Sequence, residues 1–208
     1  MYKKIILIIL SFFLFGCTSN INQMTLKEII DDSIQEEKTF VNINNKGYKY
    51  YLPSEFTVVE DNDYIQKLSS KNKIYYLNVD IVSYHYKNSL ETKHNLDDYE
   101  YYTFEHNNKS GYLRIIKNNK NFVVELCYNY AIIEVEVEES ELRYAISRSI
   151  LILDSIQYND LVIEKYIIEN SIENSETVFK IPKPENKENN KNVLEYIEES
   201  DPDEGSED

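Results

Sequence analysis

The side chains with the clearest chemical potential are three histidines, a run of carboxylates, one internal cysteine and many tyrosines. His85, His94 and His106 lie nine and twelve residues apart, which matches no compact zinc signature. With 4 glycines in 208 residues, there is no Gly-rich phosphate loop, and G-x-S-x-G and H-E-x-x-H are absent. Glu134, Glu136 and Glu138 alternate with Ile133, Val135 and Val137, so the three acids share one face of a strand. Such acids could serve as a weak cation site or half of an acid–base pair. The same alternation describes the solvated face of a half-buried strand, which is the preferred reading. Asp80, flanked by Asn78 and Val82 in another alternating run, suggests only a hydrogen bond. Cys127 sits within the apolar run Phe122–Tyr128 and reads as a buried, inert thiol.

Tyrosine is the most frequent aromatic residue (Tyr 19, Phe 8, Trp 0). Tyr48, Tyr50, Tyr51, Tyr75, Tyr76, Tyr84, Tyr86, Tyr99, Tyr101, Tyr102, Tyr128 and Tyr130 fall in or beside segments that read as strands. Adjacent pairs such as Tyr50-Tyr51 and Tyr75-Tyr76 must point to opposite faces. Strand propensity and composition account for most of them. The remainder, represented by Tyr50, Tyr76, Tyr84, Tyr86 and Tyr101, form a candidate binding face for a protein or glycan, since a flat amphipathic ring contacts a partner at little entropic cost.

The N-terminus carries the strongest signal. Lys3 and Lys4 precede an apolar run, Ile5–Phe15, broken only by Ser11. The run is shorter than the ~20 residues needed to span hydrocarbon and has the length of a signal-peptide core. It ends in Leu14-Phe15-Gly16-Cys17, which resembles the lipobox of bacterial lipoproteins, although Phe15 is bulkier than usual there. The resemblance implies cleavage between Gly16 and Cys17 and diacylglyceryl transfer to the Cys17 thiol. The mature chain would then be held on the outer face of the cell membrane by buried acyl chains. The scarcity of Gly and Pro, with abundant Lys, Asn, Ile and Tyr, is similar to small lipoproteins of low-GC Gram-positive bacteria.

The charge excludes one class of partner. The formal charge of −15 becomes −17 once Lys3 and Lys4 are removed (−15 − 2). Such a field repels nucleic-acid backbones and anionic headgroups alike. No cofactor or metal is implied.

The elements that must position these residues follow from periodicity. Residues 17–24 form a polar tether after the signal segment 1–16. Thr25 with Glu28 makes a capping box for a helix over 25–37. Strands are expected at Phe40–Asn44 and Gly47–Leu52 around a turn at Asn45-Lys46-Gly47, then at Phe56–Glu60 and Ile74–Tyr86. Further strands are expected at Tyr99–His106, Gly111–Lys117, Asn121–Tyr128 and Ala131–Glu138. Ser140 is expected to cap a helix whose buried stripe is Leu142, Ala145, Ile146, Ser149, Ile150 and Leu153. A short strand at Ser155–Tyr158, a helix at Leu161–Asn170 capped by Asn159 or Asp160, and an edge strand at Glu176–Ile181 complete the pattern. Residues 182–208 form an acidic tail: from 183 onward it holds ten acids and three lysines, a composition that cannot bury enough apolar surface to fold.

The pattern implies one α+β domain over 25–181, an antiparallel sheet with helices packed on one face. The entry Tyr48-Lys-Tyr-Tyr-Leu-Pro53 with Phe56, and the late helix ending near Ile156, resemble the PsbP-like sandwich. That resemblance implies binding or assembly roles rather than one chemistry. The function expected is therefore a membrane-anchored, non-enzymatic binding or assembly module of the cell envelope. The alternative is an envelope hydrolase using paired carboxylates among Glu125, Glu134 and Glu136.

Overall fold

The computed structural model describes residues 21–35, 40–90 and 94–171. The expected export segment, Cys17, the expected strand at Glu176–Ile181 and the acidic tail lie outside them. A 3-10 turn at Ile21–Gln23 leads into helix α1 (Leu26–Gln35). The capping box is formed: Thr25 N donates to Glu28 Oε2 at 2.7 Å, and Glu28 N donates to Thr25 Oγ1 at 3.2 Å. Ile29, Ile30 and Ile34 are the buried stripe of this helix.

Strands β1 (Ile43–Asn45) and β2 (Tyr48–Tyr50) form the expected hairpin. Gly47 turns it at φ +88°, a conformation that L side chains rarely adopt. Then come β3 (Thr57–Asn62), β4 (Ile65–Ser70), β5 (Lys73–Val79) and helix α2 (Ile81–Tyr86). The meander β6 (Glu100–His106), β7 (Lys109–Asn118), β8 (Asn121–Tyr128) and β9 (Ala131–Glu138) follows. Helix α3 (Leu142–Asp154), the two-residue β10 (Gln157–Tyr158) and helix α4 (Asp160–Ser171) close the described chain.

The seven-stranded antiparallel sheet has the order β3-β4-β5-β9-β8-β7-β6, and β1-β2-β10 make a small second sheet. The chain is therefore α+β, as its periodicity implies. With so little glycine, asparagine supplies half of the left-handed turn positions. Lys71-Asn72, Asn107-Asn108 and Asn129-Tyr130 all have positive φ and join strands paired at Ser70↔Lys73, His106↔Lys109 and Tyr128↔Ala131. These are two-residue hairpins whose twist matches that of the flanking strands.

One sheet face packs against the helices. Leu68, Tyr75, Leu77, Ile133, Val135, Val124, Leu126, Leu113 and Ile115 join the α1 and α3 stripes in a single buried cluster. All six expected stripe positions of α3 are buried, together with Ile152. Each such aliphatic side chain contributes roughly 1.5–3 kcal/mol relative to exposure.

Four local expectations are corrected. The run Ile74–Tyr86 is not one strand: it breaks at Asp80, whose carboxylate accepts from Ser83 N at 2.8 Å and caps α2. Tyr84 and Tyr86 are therefore helical. Ser140 caps nothing. It lies inside a 3-10 turn at Glu139–Glu141, where Glu138 and Glu141 form the capping box. Strand β4, which no sequence signal marked, fills the sheet between β3 and β5. Tyr50 belongs to the core: it is 0 % exposed and its hydroxyl donates to Gln66 Oε1 at 2.8 Å.

Candidate functional site

The sheet face opposite α1 and α3 carries a row of polar and aromatic side chains. Strand register places Lys67 beside Tyr76, Tyr76 beside Glu134, Glu134 beside Glu125, Glu125 beside Arg114, and Arg114 beside Tyr101. The row crosses six strands, about 24 Å at ~4.8 Å per strand. It exists because β9 inserts next to β5. That pairing joins two hairpin series far apart in sequence.

Donors and acceptors within the row are closely matched. Tyr112 Oη donates to Glu125 Oε1 at 2.5 Å, and Arg114 Nη1 lies 3.9 Å from Glu125 Oε2. Arg114 Nε donates to Asp98 Oδ1 at 2.8 Å. Asp98 Oδ2 accepts from Asn95 N at 2.8 Å and lies 3.4 Å from His94 Nδ1. The His94 ring stacks on Tyr101 with centroids 4.7 Å apart, and Tyr101 stacks on Tyr112 at 6.1 Å. At the other flank, the Lys67 ammonium lies 6.0 Å from the Tyr76 ring centroid and 2.6 Å from Glu60 Oε2.

Burial sharpens the electrostatics. Glu134 is 6 % exposed and Arg114 9 %, so the expectation of a wholly solvated acid face is corrected at Glu134. Long neighbours on both sides, Tyr76 and Glu125, crowd it. Glu136 is half-buried and accepts from Asn121 Nδ2 at 2.9 Å, while Glu138 is exposed. Burial and the Glu125 carboxylate push the Tyr112 phenol far above its ordinary value, so it remains a donor. Desolvation raises Asp98, but the Asn95 backbone N–H and the Arg114 guanidinium outweigh it and hold the carboxyl below its usual value.

Of the tyrosines expected on a binding face, Tyr76 and Tyr101 lie on this face, at opposite flanks of the row. Tyr84 is on α2, stacked on Tyr158 at 3.8 Å and donating to Asp160 Oδ1 at 2.8 Å. Tyr86 is on the same helix, 60 % exposed. The twelve tyrosines expected in or beside strands thus divide between core (Tyr48, Tyr50, Tyr75, Tyr128) and partly or fully accessible positions. They do not form one patch.

The histidines sit on separate elements: His85 in α2, His94 before β6 and His106 at the end of β6. Among the described residues no group of three or more His, Cys, Asp or Glu side chains could hold a metal ion. Cys127 is 2 % exposed, and burial followed by the Glu125 charge pushes its thiol far up, which keeps it protonated and unreactive.

The donors Tyr112 and Arg114 and the acceptor Asp98 were not candidates in the sequence. Alternation in Lys109–Asn118 places Tyr112 and Arg114 on one face, and that was the available signal. Asp98 had none, because only the chain's path brings it over β7. No helix among the described residues is long and apolar enough to cross a membrane. No protein-family model matches the chain, and no curated protein matches it.

Proposed function

We propose that the protein is a lipid-anchored module on the outer face of the cell membrane that binds an envelope protein or glycan through the sheet face opposite α1 and α3. The observation that carries this reading is the row from Lys67 to Tyr101. Its aromatic flanks and matched charges can stack on and hydrogen-bond an extended polar partner. The anchoring half rests on Leu14-Phe15-Gly16-Cys17. A photo-crosslinking residue replacing Tyr76 or Tyr101 in cells tests the face. Adducts with an envelope protein or glycan are expected there and not from the same residue at Leu161, on α4. An adduct pattern no different from that at Leu161 would remove this face from consideration.

A second reading, hydrolysis by paired carboxylates, is favoured by one relationship: Glu125 and Glu134 are direct cross-strand partners on the same face. Against it, Glu125 is already engaged by Tyr112 and Arg114. An envelope glycan cleaved by the protein but not by its Glu134→Gln variant would put hydrolysis ahead.

A further inference from the structure

The chain enters the fold at one defined end of the sheet. Arg143 Nε, in the first turn of α3, donates to Met24 O at 2.9 Å, and Tyr102 Oη, near the start of β6, donates to Leu26 O at 3.3 Å. Ile21 and Met24 pack against the core. The entry point is therefore fixed beside the start of β6 and the β9–α3 connection. Cys17 is four residues before Ile21, a reach of at most ~14 Å at ~3.3–3.6 Å per residue.

The same end exposes apolar side chains. Leu96, in the turn that leads into β6, is 100 % exposed; Tyr99, one residue before the strand, is 52 % exposed; and Ile74, at the start of β5, is 37 % exposed. Singly exposed apolar residues are ordinary. Ile74 and Tyr99 lie at the strand starts on the side from which the tether leaves, and Leu96 precedes Tyr99 by three residues, in the turn whose His94 stacks on Tyr101 and whose Asp98 accepts from Arg114. Lys71 and Lys120, in the β4–β5 and β7–β8 turns, and Lys117 beside the latter surround them, with Arg143 near the tether. With Lys73, which pairs with Glu141 at 3.1 Å, these bases stand against Asp97, Glu100, Glu138, Glu139 and Glu141, so the two signs balance at this end of a strongly acidic chain.

We propose that this end lies against the bilayer, with Leu96 and Tyr99 entering the headgroup layer and the neighbouring lysines at its aqueous boundary. This orientation rests on the reading of Cys17 as the lipid anchor. A leucine gains free energy on leaving water, tyrosine suits the interface, and lysine stems extend along apolar surface while their ammonium groups stay wet. A tether this short leaves little freedom to present another end. The sheet face opposite α1 and α3 then stands roughly perpendicular to the membrane, and the row, which crosses the strands, runs parallel to the bilayer.

The chain contains no tryptophan, so Leu96→Trp introduces a single emitter at a fully exposed position, and Tyr99→Trp reads the same surface if the first variant folds poorly. Tyr86→Trp, on the helix that follows β5 at the other end of the sheet, is the control. Each full-length acylated protein is reconstituted into phosphatidylcholine/phosphatidylglycerol vesicles, with and without bromine on the acyl chains, and its mass is measured. Blue-shifted emission from Leu96→Trp that brominated lipid largely quenches, beside unquenched Tyr86→Trp, is the expected result. Equal, weak quenching of both in an acylated protein overturns the orientation and leaves the anchor standing. A blue shift without quenching means that protein, such as a second copy, covers Leu96, and also overturns it. Absence of acyl mass on Cys17 defeats the anchoring reading, and the orientation falls with it.

Discussion

Asp98 and Arg114 form a nearly buried ion pair, Oδ1 to Nε 2.8 Å, that fastens the segment entering β6 to the middle of β7. Their side chains are 2 % and 11 % exposed. A pair this enclosed contributes little net stability over an apolar substitute, but breaking it strands the remaining charge.

Asp98→Asn should therefore cost on the order of 2–3 kcal/mol in denaturant unfolding near pH 6. Because the folded carboxyl is held below its usual value, its contribution is complete above the unfolded pKa of about 3.9 and disappears as pH falls through the folded value. The wild-type advantage over Asp98→Asn should shrink below about pH 4. A constant difference from pH 6 to pH 3 would show that the pair is not the cause.

Tyr112→Phe removes the hydroxyl that donates to Glu125 at 2.5 Å. A hydrogen bond to a charged acceptor is worth about 1.5–3 kcal/mol, and a loss of that size is expected. Since the folded phenol is raised, its contribution is complete below the unfolded pKa of about 10 and declines as pH rises above it. Stability of the variant equal to wild type at pH 8 would mean that solvent replaces the bond.

Gly47→Ala meets two obstacles. The backbone is at φ +88°, and an added Cβ would lie 2.8 Å from Ile163 Cγ1. Ile163 is 1 % exposed, so the strain should both weaken the β1–β2 hairpin and lift α4, costing about 1–3 kcal/mol. Faster amide exchange at Ile163, whose N–H donates to Asn159 O at 3.0 Å, would locate the effect on α4. Unchanged exchange there would confine it to the hairpin.

Cys17→Ala should abolish incorporation of labelled fatty acid and leave an uncleaved precursor of higher mass. Label retained in the variant would show that the lipid is attached elsewhere or that the Leu14-Phe15-Gly16-Cys17 match is incidental.

What the sequence determined by itself was whatever depends on neighbours a few residues apart. The capping box at Thr25, the buried stripe of α3 and the four strands of the meander β6–β9 follow from alternation, helical spacing and asparagine-rich turns. All of these act within one element or one hairpin. The run from Ile74 to Tyr86 exceeded that reach. Its β-branched and aromatic residues continue as if extended, and the break is made by the Asp80 cap at one end and the left-handed Lys87, φ 54°, at the other. Strand β4 was hidden by Gln66, Lys67, Ser69 and Ser70, polar residues that look like a loop. Gln66 is nevertheless 0 % exposed because Tyr50, from the small sheet, reaches it. That contact also explains why Tyr50 is core and not binding face. The candidate site was legible only in fragments, as acids on β9 and tyrosines on several strands. The pairing of β5 with β9 made those fragments one row, and no local pattern encodes it, because the partners lie some sixty residues apart (Tyr76↔Glu134). It is decided by burying the apolar face of every strand under the same helices at once.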